Sequence, residues 1–276
     1  MKEKLLSGDI EMFNPIADIA PSTTACKVCG GPSDFFDEAT ILKRHSIQYF
    51  RCTACGFIQT EEPHWIEEAY SSAIGRQDVG LVQRNIVNCA ITAAVLNLLL
   101  PEVSKSVDYG GGHGMLVRMM RDRGFDFSWL DLYATNNYAR GFEAQEGSTY
   151  DFLTAFEVLE HLADPVRDLS AMMDLSANVF VSTCIVPEPV PRPMEWWYYS
   201  LTGGQHISFY TAESLRILAA RFGRSLVSFG GYHLFTVEPK NRLLYRLAAD
   251  YRTAPILNRF YRRPSLTQED YQRMIE

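Results

Sequence analysis

The segment Asp108-Tyr109-Gly110-Gly111-Gly112-His113-Gly114 constrains this chain more than any other. A short apolar strand at 106–109 runs into four glycines, and a helical stretch follows over 115–123. Glycine tolerates positive φ and lets a ligand approach the backbone. The first amides of the following helix are left free for a polar group. Strand, glycine turn and helix in that order open a nucleotide-binding α/β sheet. The dinucleotide pattern G-x-G-x-x-G needs a third glycine three places beyond the second. Met115 stands there in one frame and Val117 in the other, so the pattern here is D-x-G-x-G-x-G.

The chain beyond the turn alternates strand and helix. Strands are predicted at 127–131, 150–156 and 178–182, and helices at 166–173 and 212–222. A hairpin, 225–229 with 233–237, turns at Gly230-Gly231. Alternation of this kind builds a mainly parallel sheet with helices on both faces, and the hairpin adds an antiparallel edge. The second strand ends in Asp131, 17 residues beyond Gly114. A carboxylate there can accept both hydroxyls of a ribose.

Four of the six cysteines form two C-x2-C knuckles, Cys26/Cys29 and Cys52/Cys55, separated by 22 residues. Gly30-Gly31 and Gly56 follow them, so backbone amides can turn towards the thiolates. Four thiolates suit a closed, tetrahedral structural zinc site. A redox dithiol is the rival, but it needs only one such pair. His45 lies between the knuckles as a competing ligand or a surface residue. Cys89 and Cys184 sit in apolar settings as small core residues. The division is then a zinc-binding unit at 1–75, an α/β domain at 76–240 and a helical extension at 241–276.

The net charge of −7 and pI near 5.4 argue against a general nucleic-acid binder. The N-terminus has no apolar signal core. The apolar run at 86–100 is interrupted by Asn88, Thr92 and Asn97 and falls short of the roughly 20 residues of a membrane span, so it reads as a buried helix. A cytoplasmic, reducing setting follows, without disulfides.

Three stretches together resemble class I S-adenosylmethionine (SAM)-dependent methyltransferases. They are 107–114, Trp129-Leu130-Asp131, and Tyr150 to His161, which ends Phe156-Glu157-Val158-Leu159-Glu160-His161. The resemblance implies a Rossmann-like seven-stranded sheet. It implies that Asp108, Tyr109, Gly110, Gly112 and Gly114 form the turn beside the methionine part, with Asp108 orienting it. Asp131 would hold the ribose, Leu132 would touch adenine, and Phe156 and Glu157 would face the methionine amino group. Phe142-Glu143 is the candidate for a polar adenine contact. With the cysteine knuckles, the chain looks like the zinc-containing branch that includes sugar C-methyltransferases and enzymes of polysaccharide clusters. That branch uses a Glu-His pair for acid–base work. Here Gln205 precedes His206 where the acid would stand.

Methyl transfer from a sulfonium needs an aligned acceptor and a base where a proton must leave. His206 and His161 are the candidate catalytic bases. His161 otherwise reads as a histidine bonded to backbone at a helix start. The insertion around Trp196-Trp197-Tyr198-Tyr199 would roof an acceptor pocket or pack as a plain lid. Tyr70 and Arg84 precede the first strand, where either could reach the cofactor carboxylate or the acceptor, with packing or surface roles as the simpler reading. The basic stretch 242–247 would cap the domain or touch a lipid-linked or phosphorylated acceptor at a membrane surface. The expected function is methylation of a small-molecule acceptor, a sugar or glycan precursor. The alternatives are a non-catalytic SAM-binding scaffold and a nucleic-acid methyltransferase.

Overall fold

The computed structural model describes residues 23–70 and 79–276, organised by two sheets. In the first, antiparallel sheet, β1 (Thr23–Ala25), β2 (Pro32–Ile41), β3 (His45–Cys52) and β4 (Ile58–Thr60) follow one another. A fifth strand, β9 (Ser208–Phe209), arrives from far down the chain and pairs with β4 at its edge. The short helix α1 (Ile66–Ala69) follows β4. The linker read at 75–80 and the end of the helix read at 65–73 lie largely outside the described residues.

The second sheet contains β5 (Lys105–Tyr109), β6 (Asp126–Leu130), β7 (Phe152–Phe156), β8 (Val179–Ser182), β10 (Ser225–Phe229) and β11 (Tyr232–Thr236). Its order is β10-β11-β8-β7-β5-β6. The four strands from β8 to β6 are mutually parallel, and the closing hairpin places β11 antiparallel to β8. The α/β architecture with an antiparallel edge is therefore the one expected. The strand count is corrected from seven to six among the described residues. The missing strand is reduced to one parallel bridge, Trp129 with Glu143. The surrounding segment carries Asn136, Asn137, Gly141 and Gly147, residues that favour turns over an extended run.

Helices cover the sheet. They are α2 (Leu81–Leu99), α3 (Met115–Arg121), α4 (Pro165–Leu175), α5 (Ala212–Arg221), α6 (Arg242–Ala249), α7 (Ala254–Leu257) and α8 (Thr267–Ile275). The start of α4 is marked by Asp164, which accepts from Arg167 N, and by Pro165 in the first turn. A reciprocal Thr211–Ser214 capping box starts α5. By length and composition α2 is the one described helix apolar enough to cross a bilayer. In the fold its buried stretch, including Cys89, Val95 and Leu96, packs with Val117, Met120, Phe180 and Tyr245 in the first core cluster. Against it α6 turns Tyr245 and Ala248 inwards, leaving Leu243 and Leu247 exposed.

On the opposite side of the sheet, Val28, Cys26, Cys52, Cys55 and Phe57 share one apolar cluster with Leu215, Leu218 and Tyr210. The cysteine unit is thereby packed onto α5 rather than tethered beside it.

His233 on β11 is buried at the sheet's edge, with Nδ1 2.9 Å from Ser228 Oγ and Nε2 3.1 Å from the Thr183 carbonyl. Burial pushes its imidazole down to about 4. The unfolded chain binds a proton near pH 6.5 while the folded chain does not. This contribution to stability is therefore complete above pH 6.5 and is lost as pH falls through about 4. Its size is on the order of 3 kcal/mol. Thermal melts at pH 7 and pH 4 are expected to separate less for His233→Gln than for the wild type.

Candidate active site

The end of β5 feeds a turn in which Gly110, Gly112 and Gly114 take φ of 68°, 54° and 83°. L side chains avoid that region. Space forbids them too: a Cβ on Gly110 would stand 2.7 Å from Val158 Cγ2, and one on Gly111 2.9 Å from Trp129 Cδ1. The turn is held from β6. Gly112 N donates to Asp131 Oδ2 at 2.8 Å, and Trp129 Nε1 donates to the Gly112 carbonyl at 2.8 Å. The other carboxylate oxygen of Asp131 accepts from Tyr133 N and Ala134 N. Asp108 is buried beneath the turn and accepts from Thr154 Oγ1 at 2.6 Å; burial pushes its carboxyl up to about 7.

A cleft opens over this turn. Asp108, Gly110, Gly111, Gly112, Phe156 and Glu157 line it from the sheet, and Arg84, Asn85 and Asn88 from α2. Glu157 has φ of 54° and is held by Ser182, whose Oγ accepts from Glu157 N at 3.0 Å and donates to Glu157 Oε1 at 2.7 Å. Phe156 stands edge-on to Phe180 and Tyr232. The structure thus brings Asp108, Gly110, Gly112, Asp131, Phe156 and Glu157 together. Gly114 starts α3, Leu132 is 78% exposed beyond Asp131, and the Tyr109 side chain packs into the second core layer. Phe142 and Glu143 are turned to other partners: Phe142 lies under the Arg121 guanidinium, and Glu143 accepts from Asn136. Neither Asn85 nor Asn88 was read as a site residue from the sequence, where Asn88 looked like an interruption of an apolar run.

Beyond Glu157, a single 3₁₀ turn, Leu159–His161, is clamped to the incoming β9 segment. Ile207 N donates to the Glu160 carbonyl, Ser208 Oγ to the Leu162 carbonyl and Tyr210 OH to the Leu159 carbonyl. These bonds set His206 beside His161, with ring centroids 4.9 Å apart and planes at 85°. The His206 Nδ1–H donates to the Tyr198 carbonyl at 2.6 Å, and the Tyr70 hydroxyl lies 2.9 Å from His161 Nδ1. Burial holds the His206 imidazole down to about 4; burial and then the neighbouring His206 hold His161 down to about 3. Glu160 is fully buried next to them, and burial followed by the Glu157 charge pushes its carboxyl up to about 8. The nearby Thr183 and Tyr198 hydroxyls are bonded to each other at 3.0 Å, and neither Glu160 oxygen has a hydrogen-bond partner. Gln205 faces away and donates to the Ala69 carbonyl. Glu160 had no assigned role in the sequence reading, and Tyr70 was read there chiefly as a packing or surface residue. The adjacency of Glu160 to His161 was the available signal.

The aromatic insertion follows the packed reading. Tyr198 and Tyr199 are fully buried with Trp196 against Phe209, and Trp197 alone is exposed. Cys26, Cys29, Cys52 and Cys55 converge: Sγ atoms lie 3.6 Å apart for Cys26 and Cys55 and 3.4 Å for Cys29 and Cys52. Amides of Val28, Gly31 and Cys55 point at Cys26, Cys29 and Cys52 sulfurs, each at 3.4 Å. This cluster is able to hold a metal ion. His45 is not part of it, being bonded to Glu68 at the far end of β3.

The family model for the methyltransferase domain matches residues 83–228, more than half of the chain. The chain belongs to the methyltransferase-domain family. No curated protein matches this methyltransferase. Among solved structures it is similar to an O-methyltransferase family protein from Burkholderia thailandensis, at 14% identity and TM-score 0.43, over 62% of this chain and 66% of that one. It is similar to TnmH at 20% identity and TM-score 0.45, over 63% and 60% of the two chains. A third is the magnesium protoporphyrin IX methyltransferase of Synechocystis with bound SAH, at 14% identity and TM-score 0.38, over 63% and 94%. The methyltransferase thus spans just under two thirds of the first of these.

Proposed function

We propose that this protein transfers a methyl group from SAM to a hydroxyl of a small-molecule acceptor, a sugar or glycan precursor, in the cytoplasm. One observation carries the reading. The glycine cleft and the buried histidine pair lie at the same carboxyl edge of the sheet, joined by the five residues from Glu157 to His161. Ligands of open α/β sheets bind at that edge.

The cleft suits the cofactor. Glycine at 110, 111 and 112 keeps side chains out of the cleft, so a ligand can approach the backbone of the turn closely. Gly110, Gly112 and Gly114 would line the methionine part, with Asp108 and Tyr109 shaping the turn and Phe156 and Glu157 facing the amino group. Asp131 would hold the ribose and Leu132 would cover adenine. When bound, SAM supplies a methyl group already activated on a sulfonium. The protein's own work is to orient the acceptor, exclude water and accept its proton. Burial keeps His206 and His161 neutral, and the His206 Nδ1–H is already committed to a carbonyl, leaving Nε2 as the acceptor. The four cysteines would hold a structural zinc, with every coordination position filled by thiolate. The acidic net charge stands against a nucleic-acid acceptor.

Calorimetric titration with SAM tests the cofactor site. Asp131→Ala is expected to weaken binding by roughly 10- to 100-fold, the loss of hydrogen bonds to a charged group. Unchanged affinity would overturn the assignment. Transfer of labelled methyl from SAM to a panel of nucleotide sugars and lipid-linked glycans tests the acceptor class, and labelling confined to nucleic acid would refute it.

A further inference from the structure

We propose that Glu160, His161 and His206 form a second metal site, for a divalent first-row transition cation such as Mn²⁺, Fe²⁺, Co²⁺ or Zn²⁺. The site stands on geometry. Only its use in methyl transfer rests on the reading of this edge as the acceptor side.

One ligating atom from each of the three residues lies within 4.8 Å of the others. Nitrogen and oxygen ligands sit about 2.0–2.2 Å from such an ion, and three that share it stand about 3–3.6 Å from one another. The three ligating atoms are thus within side-chain reach of a single ion. The second argument is the Glu160 carboxyl itself. It is fully buried, and neither oxygen is in a hydrogen bond of ordinary geometry, although the Thr183 and Tyr198 hydroxyls stand close enough to temper its shift. An unpartnered buried carboxyl is costly unless a proton or a cation satisfies it. The third is the arrangement behind the imidazoles. His206 donates from Nδ1 to the Tyr198 carbonyl, and His161 Nδ1 faces the Tyr70 hydroxyl. Metal-binding histidines are oriented in this way through the ring nitrogen that does not ligate. On His206 this leaves Nε2, which holds the ion when a cation is bound and serves as the proton acceptor only when the site is empty. Two histidines and one carboxylate leave coordination positions open, unlike the closed set of four thiolates, and that donor set is suited to the cations named. An acceptor hydroxyl bound at an open position would lose its proton more easily.

Metal content of the full-length protein decides the matter. After loading with each cation in turn and desalting, the wild type is expected to hold two ions per chain. Glu160→Gln and His206→Gln are each expected to hold one, with the wild-type circular dichroism and SAM affinity. Cobalt identifies which ion is lost: the intense thiolate-to-metal absorption stays and the weak visible bands of the mixed nitrogen–oxygen site vanish. Tyr70→Phe is expected to retain both ions with a 10- to 100-fold weaker second affinity. One ion per chain with all four cations overturns the site, as does a second ion that survives both substitutions. If the second ion binds but methyl transfer is indifferent to it, the site stands and its catalytic use falls.

Discussion

Cys55→Ser is expected to empty the four-thiolate cluster of metal and to lower stability by on the order of 5 kcal/mol. The size of the effect comes from where the cluster sits. Cys55 N points at the Cys52 sulfur, and the Cys55 carbonyl accepts from Thr211 Oγ1 at 2.6 Å, the same threonine that caps α5. Val28 and Phe57 bury against Leu215 and Leu218 of that helix. A loosened knuckle therefore exposes apolar surface on both sides of the contact and disturbs the cap of α5. Denaturation followed by far-ultraviolet circular dichroism, with metal analysis of the same sample, checks this. Loss of metal with an unchanged midpoint would show that the thiolates do not hold the two units together. Retention of metal would refute the four-ligand cluster.

Asp270→Ala is expected to cost 3–5 kcal/mol, the usual penalty for stranding a buried charge. Asp270 in α8 is almost fully buried. Its carboxylate accepts from Arg121 Nε at 2.9 Å and from Arg121 Nη2 at 2.6 Å, and Arg118 Nη2 lies 2.8 Å away. Arg121 is itself buried, with its guanidinium 3.8 Å from the Phe142 ring centroid and a further bond to Asp126. The alanine variant leaves this guanidinium with the more exposed Asp126 and the Phe127 carbonyl and releases the terminal helix from α3. Urea denaturation measures the loss. The double variant Asp270→Ala/Arg121→Leu is expected to recover part of it, because no charge is then buried without its partner. Equal midpoints for wild type and Asp270→Ala would refute the account.

Much of the catalytic half was legible in the residues because local chemistry dictates it. Glycines at positive φ, an acid at a strand end and two cysteine knuckles each act over a few positions. The hairpin turning at Gly230-Gly231 is of the same kind. The first sheet was not legible. The β2 strand mixes buried and exposed residues with an irregularity between Phe35 and Asp37, which blurs the alternation that marks a strand. The two-residue strand β9 has no local signal; it exists because β4 offers an edge. Tyr70 meets His161 only through tertiary packing, so no spacing rule announces it. Gln205 read as a lost acid, and its place in the fold explains the amide: it ties the segment to the carbonyl of Ala69.

The pairing of Ile58 with Phe209 closes a loop of 151 residues, from 58 to 209. Contacts so distant along a chain are slow to form, because the entropy of closure must be overcome before they contribute. His206 lies two residues before that strand. The histidine pair itself joins positions 161 and 206 when the segment leading into β9 meets the Leu159–His161 turn, whereas the glycine turn and Asp131 belong to one short strand–helix–strand unit. During synthesis the cofactor cleft can be complete while the acceptor side does not yet exist.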